Sequence, residues 1–131
     1  MQRTPLFIAV PLIVVGVLTV YGGRSYFQPE ALGGLYDLGA ATLDPVATML
    51  LAHRAAMVAV IGALLFLAAW RVTFLVWLVP LVALSKALFV LAALPVRDAV
   101  ALTFWFDLVS VMVLAVCWFG AFLRRRRAVA G

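Results

Sequence analysis

Charge is almost absent from four long stretches of this chain, and that absence decides its class. Pro5–Tyr21 carries no ionisable side chain except its terminal tyrosine, and Pro45–Trp70 carries only His53 and Arg54. Val72–Leu94 carries only Lys86, and among its charged types Ala99–Leu123 carries only Asp107. About 20 mostly apolar residues in a helix cross the hydrocarbon of a bilayer. The chain as a whole is 68% hydrophobic and 11% charged over 131 residues, against about 45–50% and 25% in a soluble domain. No soluble fold of this size has interior enough to hide so much apolar surface. The expected class is therefore all-α, an integral membrane four-helix bundle. It forms a single transmembrane domain over residues 1–131, with spans at about 5–21, 45–70, 72–94 and 99–123 and an outer loop at 22–44. No internal repeat, low-complexity tract or strand-like alternation competes with this reading.

The ends of the spans carry matching signals. Thr4-Pro5 and Asp44-Pro45 each set a capping side chain before a proline at the first helical position. Gly22-Gly23 closes the first run, and Pro95 follows the third, where it cannot continue a helix. Tyr21, Tyr26 and Trp70 sit where interfacial aromatics belong. Pro11 and Pro80 fall inside spans, which membrane helices tolerate when neighbours satisfy the freed carbonyls. Arg3 and the first apolar run fit the opening of a signal peptide. The following Thr-Val-Tyr-Gly-Gly lacks a small-x-small cleavage site, so a retained span is expected.

Four spans put both termini on one side, together with Arg3, Arg71 and Arg124–Arg127. Opposite lie Arg24 and Arg97, accompanied by Glu30, Asp37, Asp44 and Asp98. This basic bias places both termini in the cytoplasm. The net charge of +5 is thus a stop signal and headgroup anchor, and no nucleic-acid partner is expected. Tyr26-Phe27 and Gly34-Leu35-Tyr36, in the glycine-rich outer loop, mark a short interfacial helix, a lid or an ordinary linker.

His53, Arg54, Lys86 and Asp107 are the costly residues. A charge at the centre of a span costs roughly +2.5 to +3.5 kcal/mol even on mild insertion scales. With a rise of about 1.5 Å per residue, His53 and Arg54 lie roughly 14 Å below the outer end of their span. Lys86 lies roughly 12 Å and Asp107 roughly 14 Å from the same surface by the same rise. Three spans thus set their charges in one layer. Thr103, Asp107 and Ser110 form one polar stripe expected to face the interior. Ser85 precedes Lys86, and Phe89 shares the face of Lys86. Met49, His53 and Met57 share a face from which Arg54 is turned by about 100°.

The layer holds one carboxylate against two cations, so it carries about one excess positive charge if the lysine keeps its proton. Three readings stay open. Asp107 pairs with Arg54 or Lys86 and staples helices while His53 bonds a carbonyl; or the layer binds a ligand or headgroup; or it is a proton or ion path. Small residues of the second span (Ala52, Ala55, Ala56, Ala59, Gly62, Ala63) allow close helix packing or an oligomer face.

Known chemistries find little support. One histidine and one cysteine on different spans build no typical metal site, so neither metal nor cofactor is expected. Cys117 reads as a buried small apolar residue. No phosphate-cradling glycine loop follows a strand. Ser85 and Lys86 point about 100° apart as helix neighbours, which argues against a serine–lysine pair.

Leu51-Ala-His-Arg-Ala-Ala-Met57, Leu84-Ser-Lys-Ala-Leu-Phe89 and Phe106-Asp-Leu108 resemble a group of small bacterial four-helix membrane proteins. These have a His-Arg pair early in the second helix, a serine-rich site in the third and an aspartate in the fourth. The resemblance covers about Leu35 to Val116. Some of the group carry a phosphopantetheine adenylyltransferase label, an activity that a membrane chain of this kind does not support. More remotely the layout is similar to the DoxX-like group, some members of which are linked to quinone-coupled oxidation of sulfur compounds. The resemblance implies a multi-pass protein of the bacterial inner (cell) membrane. It supplies a quinone hypothesis and no activity.

The expected site is a polar pocket in the outer half of the bilayer, lined by His53, Arg54, Lys86 and Asp107 and supported by Ser85, Thr103 and Ser110. Its expected ligand is a lipid-like or quinone-like amphiphile. The alternative is a non-catalytic accessory or assembly subunit that contacts homo- or hetero-oligomeric partners through the alanine-rich second helix. A third reading uses His53 or Lys86 as an acid–base group on a membrane substrate.

Overall fold

A computed structural model describes residues 3–26 and 45–130 of the chain. Its regular structure is helical throughout: α1 Leu6–Gly22, α2 Pro45–Trp70, α3 Val72–Ala93 and α4 Ala101–Ala130, with 3-10 turns at Gly23–Tyr26 and Leu94–Val100. Most of the expected outer loop, with Asp44 and Gly34-Leu35-Tyr36, lies outside the described residues. α1 and α3 continue through Pro11 and Pro80. α4 extends past the expected end at Leu123 through the arginine block, where cations complement the negative end of the helix dipole.

Two helical runs, Thr48–Trp70 and Val72–Arg124, are long and apolar enough to cross a membrane, and Leu6–Gly22 is a shorter apolar helix. The second run contains α3 and most of α4. Pro95 begins the turn between them, and Val96 leaves helical geometry at φ −122° and ψ 21°. The chain reverses there, so that α4 packs back along α3. α1 packs chiefly on α2 and α2 on α3, while a thinner seam between α1 and α4 closes the ring.

The α1–α2 contact depends on absent side chains. A Cβ added to Gly62 would lie 2.8 Å from the Val20 nitrogen and 2.9 Å from the Gly16 oxygen. One added to Gly23 would lie 2.8 Å from the Ala59 Cβ and 2.9 Å from the Ala55 oxygen. Small residues let the backbones meet. Ala55, Ala59 and Gly62 are therefore occupied within the chain, while Ala52 and Ala56 are half-buried and Ala63 is exposed.

One end gathers the basic residues. Arg3 forms an isolated bridge with Arg71, and the Arg124 guanidinium lies 4.5 Å over the Phe7 ring. Arg24, beside Tyr21, and Arg97, 3.7 Å from Asp98, lie at turns that follow α1 and α3. The main apolar core, including Ile8, Leu12, Leu65, Leu75, Val79 and Leu114, fills the half nearer the basic end. A smaller cluster of Val90, Ala93 and Phe104 fills the opposite end between α3 and α4. Outward faces are apolar along their length, with Phe7, Val17, Trp77, Leu88, Leu102 and Val116 all exposed.

Thr4 corrects one expectation. It does not cap α1, whose first turn has no side-chain cap. Its hydroxyl instead donates to the Ala68 carbonyl at 2.9 Å, fastening the start of α1 to the last turn of α2. Ala68 lies in a helix's final turn, where the carbonyl has no i+4 donor from a continuing helix. Thr4→Val should therefore cost about 1 kcal/mol, the net worth of one hydrogen bond, with Thr4→Ser nearly neutral. Thermal unfolding in detergent measures the difference.

A candidate polar cavity where the four helices meet

Above the main core the packing changes from apolar to charged. Lys86 on α3 and Asp107 on α4 are buried, at 6% and 7% exposure, and form an ion pair through Nζ and Oδ1. Two charges removed from water are tolerable only when each supplies what the other lost. The Phe106 ring adds to this, its centroid 4.7 Å from Lys86 Nζ. The sequence left two partners open for Asp107, and the structure chooses Lys86.

Arg54 turns inward from α2, half-buried. Its guanidinium lies 4.1 Å over the Phe89 ring and feels the attraction of the Asp107 charge. A cation over an aromatic face gains about 0.5–2 kcal/mol, more as it loses water. Phe89 lies one helical turn from Lys86, so α3 provides both the buried cation and the platform for its neighbour.

These groups border a cavity of about 220 Å³. That exceeds the roughly 150 Å³ of an engineered apolar cavity able to bind benzene. All four helices line it: Thr19, Tyr21 and Gly22 from α1, Arg54 and Ala55 from α2, Lys86 from α3, and Thr103, Phe106 and Asp107 from α4. The remaining wall is apolar, with Leu18, Val58 and Leu102. The cavity reaches the last turn of α1 and the first turn of α4, so it extends from the ion pair to the helix ends.

Thr19 is the polar group left over. It is 1% exposed, and its Oγ1 has no hydrogen-bond partner. A helical threonine commonly bonds the carbonyl four residues back, and leaving a buried hydroxyl unsatisfied costs about 1–3 kcal/mol. The oxygen has almost no accessible surface, so the hydroxyl lies behind the cavity wall and does not face its open space.

Of the residues expected from sequence, Arg54, Lys86, Thr103 and Asp107 come together here. Ser110 is buried on the same stripe, but its hydroxyl donates to the Phe106 carbonyl at 2.7 Å. His53 and Ser85 are exposed on outward faces and do not line this cavity. Thr19, Tyr21 and Phe106 were not expected. The signal for Thr19 was present: it is the one hydroxyl-bearing aliphatic residue between Leu6 and Gly22. No group of histidine, cysteine or carboxylate side chains able to hold a metal occurs among the described residues.

No family model, curated protein or solved structure matches this chain. The functional reading therefore rests on the cavity itself.

Proposed function

We propose that this chain is a four-helix bundle of the bacterial inner membrane, both termini cytoplasmic, whose polar cavity binds the head of a lipid-like or quinone-like amphiphile. The exposed apolar belt supports the membrane part, since soluble monomers rarely expose contiguous apolar patches beyond a few hundred Å². The bend at Val96 lets Val72–Arg124 cross twice. The collection of Arg3, Arg71 and Arg124 at one end supports the orientation through the positive-inside rule.

The observation that carries the binding function is the cavity itself, bordered by Arg54 and the Lys86–Asp107 pair on otherwise apolar walls. Few precisely placed polar groups on apolar walls are the usual makeup of a small-molecule site. Among the described lining residues Arg54 and Lys86 face a single carboxylate, Asp107. The Arg54 guanidinium on that wall suits a polar or anionic head.

Gently extracted protein should retain an amphiphile visible by native mass spectrometry and identifiable by solvent extraction. Arg54→Gln should weaken its retention about tenfold or more, the scale of a hydrogen bond to a charged group at about 1.5–3 kcal/mol. Protein free of amphiphile, and unable to take up added phosphatidylglycerol or ubiquinone, would reject the reading.

A second reading, an accessory subunit of a larger membrane complex, draws on His53. It is exposed between exposed Met49 and Met57 on α2, a costly place for an imidazole facing lipid. Cross-linking from a cysteine at His53 in native membranes tests it; crosslinks to lipid alone would count against a protein partner.

A further inference from the structure

The half of the bundle nearer the basic end has no acidic side chain. Residues 1–21, 60–85 and 108–131 contain no aspartate or glutamate, yet they hold Arg3, Arg71 and Arg124–Arg127. The carboxylates of the described residues are engaged elsewhere: Asp107 pairs with Lys86, and Asp98 lies beside Arg97. The packed helices thus offer this end no countercharge.

A groove opens beneath one of these arginines, in the seam between α1 and α4. It is a cavity of about 290 Å³ bounded by Phe7, Ile8 and Pro11 of α1 and by Met112, Val116 and Cys117 of α4. Ile8 and Cys117 are buried and close its floor, while Phe7, Met112 and Val116 are exposed along its rims. No charged side chain lines it. Phe7 joins it to the basic end, because the ring that lines the groove also lies 4.5 Å beneath the Arg124 guanidinium. Arg124 itself is exposed, so an anion can reach it.

Depth shows which leaflet the groove faces. Met112 and Cys117 follow Asp107 by five and ten residues. With Asp107 roughly 14 Å from the opposite surface, they lie roughly 21 and 29 Å from it at about 1.5 Å per residue. The hydrocarbon is about 30 Å thick, so its midplane lies at about 15 Å. The groove is therefore confined to the basic-end half, with Cys117 near the surface and Met112 towards the midplane. Arg124 lies seven residues beyond Cys117, about two turns further out, at the level of the headgroups.

We propose that this groove is a lipid site in its own right, seating the upper part of one acyl chain of an anionic phospholipid of the basic-end leaflet, with the head on Arg124. The inference rests on the membrane-spanning reading above and not on the ligand of the polar cavity. The chain enters beside Phe7 and Cys117 and runs inward past Pro11 and Met112, head at the surface and tail towards the midplane. Apolar walls suit hydrocarbon, and the cation at the mouth selects a negative head over a zwitterionic one. The missing carboxylates strengthen that choice, since arginines near a membrane surface draw anionic lipid when no acidic neighbour neutralises them.

Photolabelling tests it on the full chain in nanodiscs of neutral lipid. The probes are phosphatidylglycerol and phosphatidylcholine, each with the same diazirine in the upper part of one acyl chain. Phosphatidylglycerol should label the peptides around Phe7–Pro11 and Met112–Cys117 severalfold more than phosphatidylcholine does. Arg124→Gln should lower that label to the phosphatidylcholine level. Arg126→Gln removes the same charge about 200° round the helix, from a guanidinium that lies over Phe122, and should leave the label nearly unchanged. Val116→Trp, a change at an exposed position that fills the groove, should cut the groove label of both lipids severalfold. Arg54→Gln, which addresses the polar cavity, should leave it intact. Equal labelling by the two lipids, or equal losses from Arg124→Gln and Arg126→Gln, would overturn the proposal. So would a label indifferent to Val116→Trp, or one spread evenly over outward faces such as Trp77 and Leu88. A groove label that falls with Arg54→Gln would overturn a site separate from the polar cavity. Chain that stays soluble without detergent or lipid would instead overturn the membrane reading, and this site with it.

Discussion

Asp107→Ala should destabilise the protein by about 3–5 kcal/mol, the cost of leaving one member of a buried ion pair without its partner. Lys86 is the charge stranded. It is 6% exposed, and its Nζ is held by the Asp107 carboxylate. Phe106 alone offers a quadrupole and no countercharge. The exchange Lys86→Asp with Asp107→Lys should recover much of the loss, because both charges still face each other. Replacement of both by apolar residues, Lys86→Met with Asp107→Leu, should be neutral or stabilising by about 1–4 kcal/mol, since it removes the desolvation cost along with the attraction. Denaturant unfolding in one detergent, followed by tryptophan fluorescence, orders the four proteins. Equal damage from the single change and the charge exchange would reject the pairing. The apolar double variant also separates two roles of the pair: if it folds well and no longer retains amphiphile, the pair serves the site more than the fold.

Helices and most of their limits were legible because hydrophobic length and proline–glycine punctuation are properties of the local chain. The charged layer was legible for a similar reason. Helical rise converts position into depth, and Arg54, Lys86 and Asp107 did meet at one level. Direction was harder. α2 is apolar on almost every side, so its sequence has no polar stripe to show which way it faces. His53 and Arg54 are adjacent, and only packing against α1 and α3 turns Arg54 inward and His53 outward. Depth also could not choose between Arg54 and Lys86 as the partner of Asp107, since both lie within about one turn of its level. Thr19 was missed because a single threonine in an apolar run has many uses. What marks it is the absence of a partner, a property of the assembled helices. The Thr4 cap failed for a related reason: the Ala68 carbonyl that attracts its hydroxyl is far away in sequence.

Gly62→Ala should be strongly destabilising, costing about 1–3 kcal/mol or more as an overpacking change. Its new Cβ would lie 2.8 Å from the Val20 nitrogen and 2.9 Å from the Gly16 oxygen. Both are backbone atoms, so no rotamer change relieves the contact and α1 itself must move. Gly120→Ala is the matched control. Nothing lies within 4 Å of its Cβ, and a helical glycine replaced by alanine gains roughly 0.5–1 kcal/mol from propensity. Opposite signs for the same chemical change, read as shifts in unfolding temperature, would establish the close α1–α2 approach; equal small shifts would exclude it. The effect should reach function as well. α1 delivers Thr19, Tyr21 and Gly22 to the polar cavity and one wall of the seam. Pushing α1 off α2 changes both at once, so Gly62→Ala should also lower amphiphile retention while Gly120→Ala leaves it intact. Retention that survives a displaced α1 would place the binding determinants on α2, α3 and α4 alone.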